Sequence, residues 1–403
     1  MNKKIIAPIF VAALGYFVDI YDLLLFSIVR KTSLESFGIS GDELLTQGIH
    51  LLNMQMIGML FGGILWGILG DKKGRISVLF GSIFIYSLAN ILNGMVTSVE
   101  QYALLRFIAG IGLAGELGAG ITLVSEIMPK ESRGYGTTIV ATIGILGAVV
   151  ASFVGKWFDW RTSYYIGGAL GGGLLLLRIG LYESGIFEKV KEENVKRGDF
   201  FSLLSSSKVF FKYLNCILVG LPIWCVIGIY VTFTPEFGKA FGMSEVPLAG
   251  EAVKYAYIGL SLGDLTSGFL SQYFKSRKKV LLGFLILTAI TIISYFFMGG
   301  TSLFIYYLNC GLMGFAIGYW AIFMTIASEN FGTNIRATVT TTAPNFIRAS
   351  VVPLTFLFEK GKNIIGLQNS GLVLGFLTIF IALISLYKLD ETYGKDLNYI
   401  EDI

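Results

Sequence analysis

Charge is scarce in this chain. Only 14% of its 403 residues are Asp, Glu, Lys or Arg, about half of the fraction usual in soluble domains. Apolar residues make up 54% of the sequence, and the mean hydropathy is +0.71. These values exclude a soluble globule with a single membrane anchor. The net charge of +4 is small, and we interpret it as a bias between membrane faces rather than a sign of nucleic-acid binding.

Cysteine and histidine are also rare. Cys216, Cys225 and Cys310 all fall in apolar stretches, and their spacing indicates neither a metal site nor a disulfide framework. We interpret them as small hydrophobic side chains packed in helices. The single histidine, His50, is expected at the surface. Without a nucleotide-binding loop, a zinc spacing or a Ser-His-Asp set around His50, the sequence predicts neither an enzyme nor a cofactor.

Long apolar stretches occupy most of the chain. A membrane-spanning helix needs about 20 mostly apolar residues, and strands are disfavoured because these runs are continuous rather than alternating. The first stretch lacks a small-residue cleavage site, so it is predicted to be a retained span rather than a signal peptide. The sequence predicts twelve spans, at residues 5–30, 48–69, 76–97, 101–127, 135–157, 163–181, 209–235, 251–273, 280–298, 302–327, 336–358 and 366–387.

The loop charges predict an orientation. Basic residues collect on one face of the predicted bundle, in segments 3–4, 72–75, 130–133, 189–208 and 275–279, and are fewer on the other. Because positive loops favour the cytoplasmic side, this face is predicted to be cytoplasmic. Both termini then lie inside, as an even number of spans requires. The predicted location is a cytoplasmic (inner) membrane.

A polar, mixed-charge stretch near the middle separates two sets of six spans. It predicts a first half at 1–182, a cytoplasmic linker at 183–207, and a second half with a short cytoplasmic tail at 208–403. A repeat with an offset of 203 residues supports this division. Ser125-Glu126, Arg133 and Thr137-Thr138 recur as Ser328-Glu329, Arg336 and Thr340-Thr341. Duplicated halves of this kind place a binding site near mid-membrane.

Several motifs resemble one transporter family. The turn Gly70-Asp71-Lys72-Lys73-Gly74-Arg75 forces the second and third spans to run antiparallel, and its pattern resembles a loop signature of the major facilitator superfamily. Further segments resemble the metabolite–proton symporter branch and, more distantly, the sugar porters. They are Asp19-Ile20-Tyr21-Asp22, Arg106 with Gly115-Glu116 and Gly118-Ala119, Glu126 with Pro129 and Arg133-Gly134, Arg178 with Glu183-Ser184, and Glu391-Thr392. The resemblance implies an all-α fold of twelve transmembrane helices in two pseudo-repeated halves, working as a monomer.

Ionisable residues inside the spans predict a coupling site. Each costs at least about 2.5–3.5 kcal/mol at the bilayer centre, so each needs a partner or a function. Asp19 and Asp22 lie on one face of the first span, and two carboxylates this close favour uptake of a proton. We predict proton coupling at Asp19, Asp22, Arg106 and Glu116. In sugar porters the acid and arginine at the positions of Asp22 and Arg106 pair, and protonation frees the pair; structural ion pairs are the alternative.

The predicted substrate site combines charge with aromatic rings. Arg348, halfway along the eleventh span, is the candidate counter-ion for a substrate carboxylate; the alternative is an ion pair with Asp264 or Glu116. The predicted substrate-binding set is Tyr21, Glu116, Trp224, Trp320 and Arg348. For the aromatic members, ordinary packing or an interfacial belt is the alternative.

The loop motifs predict a conformational latch on the cytoplasmic side. Its members are Gly70, Asp71, Gly74, Arg75, Glu126, Arg133, Glu329 and Arg336, and Arg75 is expected to pair with Glu126 and Arg336 with Glu329. The alternative is that these residues act only as topology signals.

The sequence therefore predicts proton-coupled uptake of a small polar metabolite by alternating access. An organic acid, an amino acid or a zwitterionic osmolyte would fit the predicted site. A proton-driven exporter of metabolites or drugs and a non-transporting sensor are the alternatives. Expected partners are the solute, a coupling ion (a proton, with sodium left open) and the lipid bilayer, without nucleic acid.

Overall fold

The computed structural model describes residues 3–127, 133–179, 200–204, 206–298 and 300–394, and these are helical without a β-strand. The first half contains α1 (Lys3–Glu35), α2 (Glu43–Lys73), α3 (Arg75–Asn93), α4 (Val99–Leu113), α5 (Glu116–Ile127), α6 (Arg133–Trp157) and α7 (Trp160–Leu177). Most of the predicted linker at 183–207 lies outside the described residues.

A 3₁₀ turn at Phe200–Leu204 lies within the predicted linker. The second half follows with α8 (Ser207–Val219), α9 (Leu221–Cys225), a π-helical turn (Val226–Val231), α10 (Thr234–Ala240), α11 (Ala249–Tyr273) and α12 (Arg277–Phe296). It ends with α13 (Leu303–Ala316), α14 (Trp320–Glu329), α15 (Thr333–Ala349), α16 (Val351–Ile365) and α17 (Leu367–Lys388). The all-α prediction is confirmed.

The helices coincide with the predicted spans. Within the described ranges, eight helical stretches are long and apolar enough to cross a membrane, or nine if the pair bent by 40° at Gly220 is one span. The other three predicted spans correspond to α7, α11 and α15 with α16, which do not meet the same measure. Their presence at the predicted places nevertheless gives each half six spans.

Four predicted spans are interrupted, which the hydropathy pattern does not show. The fourth is divided into α4 and α5, the seventh into α8 and the short helices after it, the tenth into α13 and α14, and the eleventh into α15 and α16. In the seventh, Pro222 lies in the first turn of α9, where its missing N–H is tolerated. In the tenth, the Asp264 carboxylate accepts the Ala321 N–H at 3.1 Å and so satisfies the start of α14.

Close contacts between glycines and backbone recur in both halves. A methyl group at Gly58 of α2 would overlap the Phe107 carbonyl oxygen of α4. A methyl group at Gly259 of α11 would likewise overlap the Gly311 carbonyl oxygen of α13. Small residues permit such approach between membrane helices. The second and fourth spans of each half therefore pack in the same way, as a duplication predicts.

The two halves touch on both sides of the centre. We call the end of the bundle that carries Lys72, Lys73, Lys278 and Lys279 the basic end, and the other the opposite end. At the opposite end Arg30 of α1 pairs with Glu236 of α10 at 2.7 Å. Toward the basic end α15 packs on α2 and α5, where a methyl group at Gly118 would lie 2.7 Å from the Thr341 hydroxyl. The two halves are thus in contact on both sides of the centre.

Candidate functional site

A cavity lies at the centre, between the halves. Its wall includes Tyr16, Trp224, Tyr257, Trp320 and Arg348, and isoleucine and leucine side chains complete it. The space between these side chains is about 350 Å³, including its open part. Arg348 is the only charged residue among the described lining. An apolar and aromatic wall with few polar groups is typical of small-molecule sites.

Arg348 is paired with Asp19 from the other half. Its Nη2 lies 3.5 Å from Asp19 Oδ2, and both side chains are buried. Neither Asp19 oxygen, nor Arg348 Nε, has a hydrogen-bond partner in the described part of the chain. The pair is therefore an ion pair with unused hydrogen-bonding capacity at the cavity wall. Asp264 and Glu116 were the alternative partners predicted for Arg348. Both make their contacts elsewhere.

Asp22 and Arg106 are neighbours without a direct hydrogen bond. The Arg106 Nη2 donates to Asn90 Oδ1 at 3.1 Å, and its guanidinium lies 4.9 Å from the centre of the Tyr164 ring. Arg106 is near enough to attract the Asp22 carboxylate, whose oxygens have no hydrogen-bond partner among the described residues. The structure brings the predicted pair together, with Asn90 beside both members.

Glu116 is fully engaged by Arg178. The Arg178 guanidinium donates to both Glu116 oxygens, at 3.0 and 2.6 Å, and to the Leu79 carbonyl oxygen at 2.7 Å. The Ser82 hydroxyl donates to Glu116 at 2.6 Å. These residues do not belong to the cavity lining described above. Coupling or substrate contact through Glu116 stays a prediction, and in this conformation the side chain joins helices of the first half.

The predicted aromatic contacts divide between two places. Trp224 and Trp320 line the cavity, and Trp320 Nε1 is buried with no hydrogen-bond partner within the described ranges. The Tyr21 hydroxyl instead donates to the Ser163 carbonyl oxygen of α7 at 2.9 Å. Tyr21 therefore packs inside the first half in this conformation. Tyr16 and Tyr257, which the predicted substrate-binding set did not include, occupy the wall.

The opposite end holds an ion pair that the sequence did not predict. Arg30 donates to both Glu236 oxygens at 2.7 and 2.8 Å and to the Leu44 carbonyl oxygen at 3.1 Å. Its guanidinium also lies 4.7 Å from the centre of the Phe233 ring. The first span was predicted at 5–30, which puts Arg30 at its end. In the structure α1 continues to Glu35 and Arg30 is buried, so its charge requires a partner.

The predicted latch is only partly within the described structure. Gly74 joins α2 to α3 with φ +99°, a conformation that favours glycine, and Gly70 accepts the Gly74 N–H at 3.2 Å. In the second half Glu329 accepts from Arg277 at 3.4 Å. The side chains of five predicted members lie outside the described residues: Asp71, Arg75, Glu126, Arg133 and Arg336.

Glu391 adds a contact at the basic end. Its carboxylate accepts from the Ser276 hydroxyl and from the backbone N–H groups of Arg277, Lys278 and Tyr393, beside the start of α12. Burial opposes ionisation, but these hydrogen bonds outweigh it and lower the pKa of Glu391 below its usual 4.5. A charged Glu391 therefore fastens the segment after α17 to the start of α12.

Comparison with known proteins places this geometry in a family. The sequence profile described as Major Facilitator Superfamily matches residues 12–349. The niacin transporter NiaP of Acinetobacter baylyi is 26% identical over 363 residues, which cover 82% of this chain and 81% of that protein. The cis,cis-muconate transport protein of the same organism is 26% identical over 375 residues, 88% of either chain.

A crystal structure of a D-xylose-proton symporter has the same fold. It matches with a TM-score of 0.74 and 17% sequence identity, over 98% of this chain and 100% of that one. At this identity the likeness concerns the fold. Since the family profile covers most of the sequence and the fold agrees along nearly its whole length, this chain belongs to the major facilitator superfamily and is a multi-pass membrane transporter of small metabolites.

Proposed function

We propose that this transporter takes up a small planar carboxylate together with a proton, by alternating access between its two halves. The observation that carries the proposal is the position of Arg348. It is the charged group of an aromatic cavity, and its partner, Asp19, belongs to the opposite half and is itself able to take a proton.

The cavity chemistry favours a flat anion. A guanidinium recognises carboxylates through parallel hydrogen bonds, and the Nε of Arg348 is unengaged among the described residues. Tyr16, Trp224, Tyr257 and Trp320 offer ring faces and edges to an unsaturated or aromatic body. The similar transporters act on niacin and on cis,cis-muconate, both of which are unsaturated carboxylic acids. The limited space also favours a small solute.

Competition for Arg348 would couple the solute to the proton. While Asp19 is ionised it holds Arg348, and a substrate carboxylate must displace it. Protonation of Asp19 removes that attraction and leaves Arg348 free for the substrate. Because a ligand shifts a conformational equilibrium only by preferring one state, solute and proton together favour the closed, charge-balanced state. Asp22 beside Arg106 provides a second acid.

Opening of the site requires different contacts to break at each end. Access from the opposite end requires Arg30 to leave Glu236 and Ser27 to leave Thr232, whose hydroxyls are 3.0 Å apart. Access from the basic end requires α15 to move away from α5. The predicted orientation places the basic end in the cytoplasm of an inner membrane, with both termini inside.

The experiment is a solute screen on the purified full chain in proteoliposomes that contain a pH-sensitive dye. Aromatic and unsaturated carboxylates, amino acids, betaines and sugars are added one at a time. We expect internal acidification for the planar carboxylates alone. Arg348→Gln should abolish uptake, whereas Lys362→Gln, at a longer and more exposed ion pair with Asp42, should preserve it.

Different failures would refute different parts of the proposal. Uptake of a carboxylate without acidification would refute proton coupling and leave the substrate class intact. Acidification with sugars or betaines but not with carboxylates would refute the substrate class. Internal alkalinisation while the solute enters the vesicle, with proton and solute moving in opposite directions, would favour a proton-driven exporter instead.

A further inference from the structure

A row of buried polar side chains crosses the first half, apart from the cavity. Ser82, Tyr86 and Asn90 follow one another at intervals of four residues on α3 and therefore share one face of that helix. All three are buried. Ser82 contacts Glu116 at 2.6 Å, and Asn90 contacts Arg106 at 3.1 Å. The row thus connects the two charged groups that the first half holds at different depths.

Glycines on α7 leave room for this row. A methyl group at Gly167 would lie 2.5 Å from Asp22 Oδ1 and 3.5 Å from Asn90 Nδ2. One turn further along, a methyl group at Gly171 would lie 3.2 Å from the Tyr86 ring. The polar groups of α1 and α3 therefore lie directly against the α7 backbone, with no side chain of α7 between them at these two positions.

Tyr86 occupies the middle of the row. Its hydroxyl is fully buried and has no hydrogen-bond partner among the described residues. Charged groups from three parts of the first half interact with it electrostatically: Glu116 of α5 most strongly, then Asp22 of α1, Arg178 directly after α7, and Asp19 of α1. A buried hydroxyl without a partner costs free energy, and a phenol is able both to accept and to donate a hydrogen bond. A phenol hydroxyl that is surrounded by carboxyl groups is suited to passing a proton between them.

The two acids of α1 face different neighbours. Asp22 Oδ1 lies against Gly167 of α7, whereas Asp19 Oδ2 points to Arg348 of α15 in the other half. Although they are three residues apart, their carboxylates do not share a hydrogen bond with each other or with any described residue. A proton that enters at Asp22 therefore needs an intermediate group to reach Asp19.

We propose that the Tyr86 hydroxyl relays a proton between Asp22 and Asp19, inside the first half rather than through the cavity. The inference rests on the proposed proton coupling. The Asp22 carboxyl gives its proton to the Tyr86 oxygen while the proton of the Tyr86 hydroxyl passes to Asp19, with ordered water bridging any gap longer than a hydrogen bond.

The transfer balances without a further reactant. Tyr86 ends neutral, and Asp22 ends as a carboxylate beside Arg106. Asp19 ends as a neutral carboxyl and releases Arg348 for the substrate. The relay therefore explains how an acid away from the cavity controls the arginine at its wall.

Tyr86→Phe tests the relay, because it removes the hydroxyl and keeps the ring. The full-length variant is reconstituted in proteoliposomes with a carboxylate that the wild type transports. Exchange of labelled for unlabelled solute, with equal pH on both sides, is compared with the internal acidification that accompanies net uptake. We expect exchange to persist, because Asp19 keeps its proton while labelled and unlabelled solute are swapped. Net uptake and the acidification that accompanies it should fall together at least about tenfold, as loss of a positioned proton carrier does elsewhere.

Tyr295→Phe is the matched control. Tyr295 is fully buried on α12, the third span of the second half, and its hydroxyl contacts that of Tyr306 at 2.7 Å. It lies in an aromatic cluster with Tyr230 and Phe237 rather than among acids. Removing this hydroxyl loses a hydrogen bond but should leave the ratio of acidification to exchange unchanged.

Three results would overturn the relay. Tyr86→Phe could retain the wild-type ratio of acidification to exchange, which would make the hydroxyl dispensable. It could lose exchange together with acidification, which would assign Tyr86 a structural role. The wild type could show net uptake of the solute without any acidification, and that result would refute the proposed proton coupling independently of Tyr86.

Discussion

Replacement of Arg178 by methionine should destabilise the first half strongly. In the folded chain Arg178 supplies two of the donors to the Glu116 carboxylate, at 3.0 and 2.6 Å, and both side chains are at most 1% exposed. Arg178→Met leaves Glu116 buried with the Ser82 hydroxyl as its remaining described donor. A charge at this depth has lost its counter-ion and cannot recover the missing donors from bulk water.

The size of the effect follows from the burial of the pair. Removing one partner of a buried ion pair costs about 3–5 kcal/mol. For a unit of roughly 200 residues, each 1 kcal/mol shifts the unfolding midpoint by about 2–4 °C, so Arg178→Met should lower it by roughly 6–20 °C. Lys156→Met is the control, since the Lys156 side chain is 59% exposed in its 3.3 Å pair with Glu251. Such a pair contributes about 0–1 kcal/mol.

The assay is thermal unfolding of the purified chain in detergent, followed by far-ultraviolet circular dichroism. Thiol labelling would not report unfolding of the first half, because Cys216, Cys225 and Cys310 all belong to the second half. Combining Arg178→Met with Glu116→Gln removes the stranded charge and should restore much of the lost stability. An Arg178→Met midpoint no lower than that of Lys156→Met would refute the reasoning.

Two further changes test contacts at the ends and in the interior. Glu391→Gln should lower the unfolding midpoint at neutral pH and have a smaller effect below pH 4.5. A carboxylate whose pKa is lowered in the folded state stabilises that state at pH values above its ordinary pKa. It loses this effect as the pH falls through the folded-state pKa. A difference independent of pH would contradict this assignment. Gly58→Ala should lower the free energy of unfolding by at least about 1–3 kcal/mol through overpacking. Gly173→Ala is the control, because nothing lies within 4 Å of the added methyl group. Equal unfolding midpoints for the two variants would show that the α2–α4 contact tolerates a side chain.

Much of the fold is predictable because hydropathy reports continuous burial in lipid. The first span, predicted at 5–30, corresponds to α1 at Lys3–Glu35, and the turn at 70–75 joins two antiparallel helices as expected. The breaks are not predictable in this way. The fourth span is interrupted between α4 and α5 without a proline, and the tenth is interrupted where the Asp264 side chain takes the place of a backbone acceptor. Hydropathy averages over such changes.

The site is less predictable because a buried charge does not specify its partner. Matched depth indicated that Asp22 and Arg106 are neighbours, but it did not indicate that Arg106 donates to the Asn90 amide oxygen rather than to Asp22. Arg178 was recognised as part of a motif that ends the sixth span, yet its partnership with Glu116 depends on the direction in which α7 presents it. A search for a counter-ion to each acid among the arginines near span ends would have suggested this pair.

The ion pairs between the halves also affect how such a chain is made. Asp19 and Arg30 belong to the half that leaves the ribosome first, while their partners Arg348 and Glu236 are synthesised later. Until the second half arrives, the first half carries one acidic and one basic group without those counter-ions, and membrane insertion must tolerate both. Docking of the halves therefore does more than enclose a cavity: it completes two charge pairs at once, and so favours the native partner and register over a mispaired bundle.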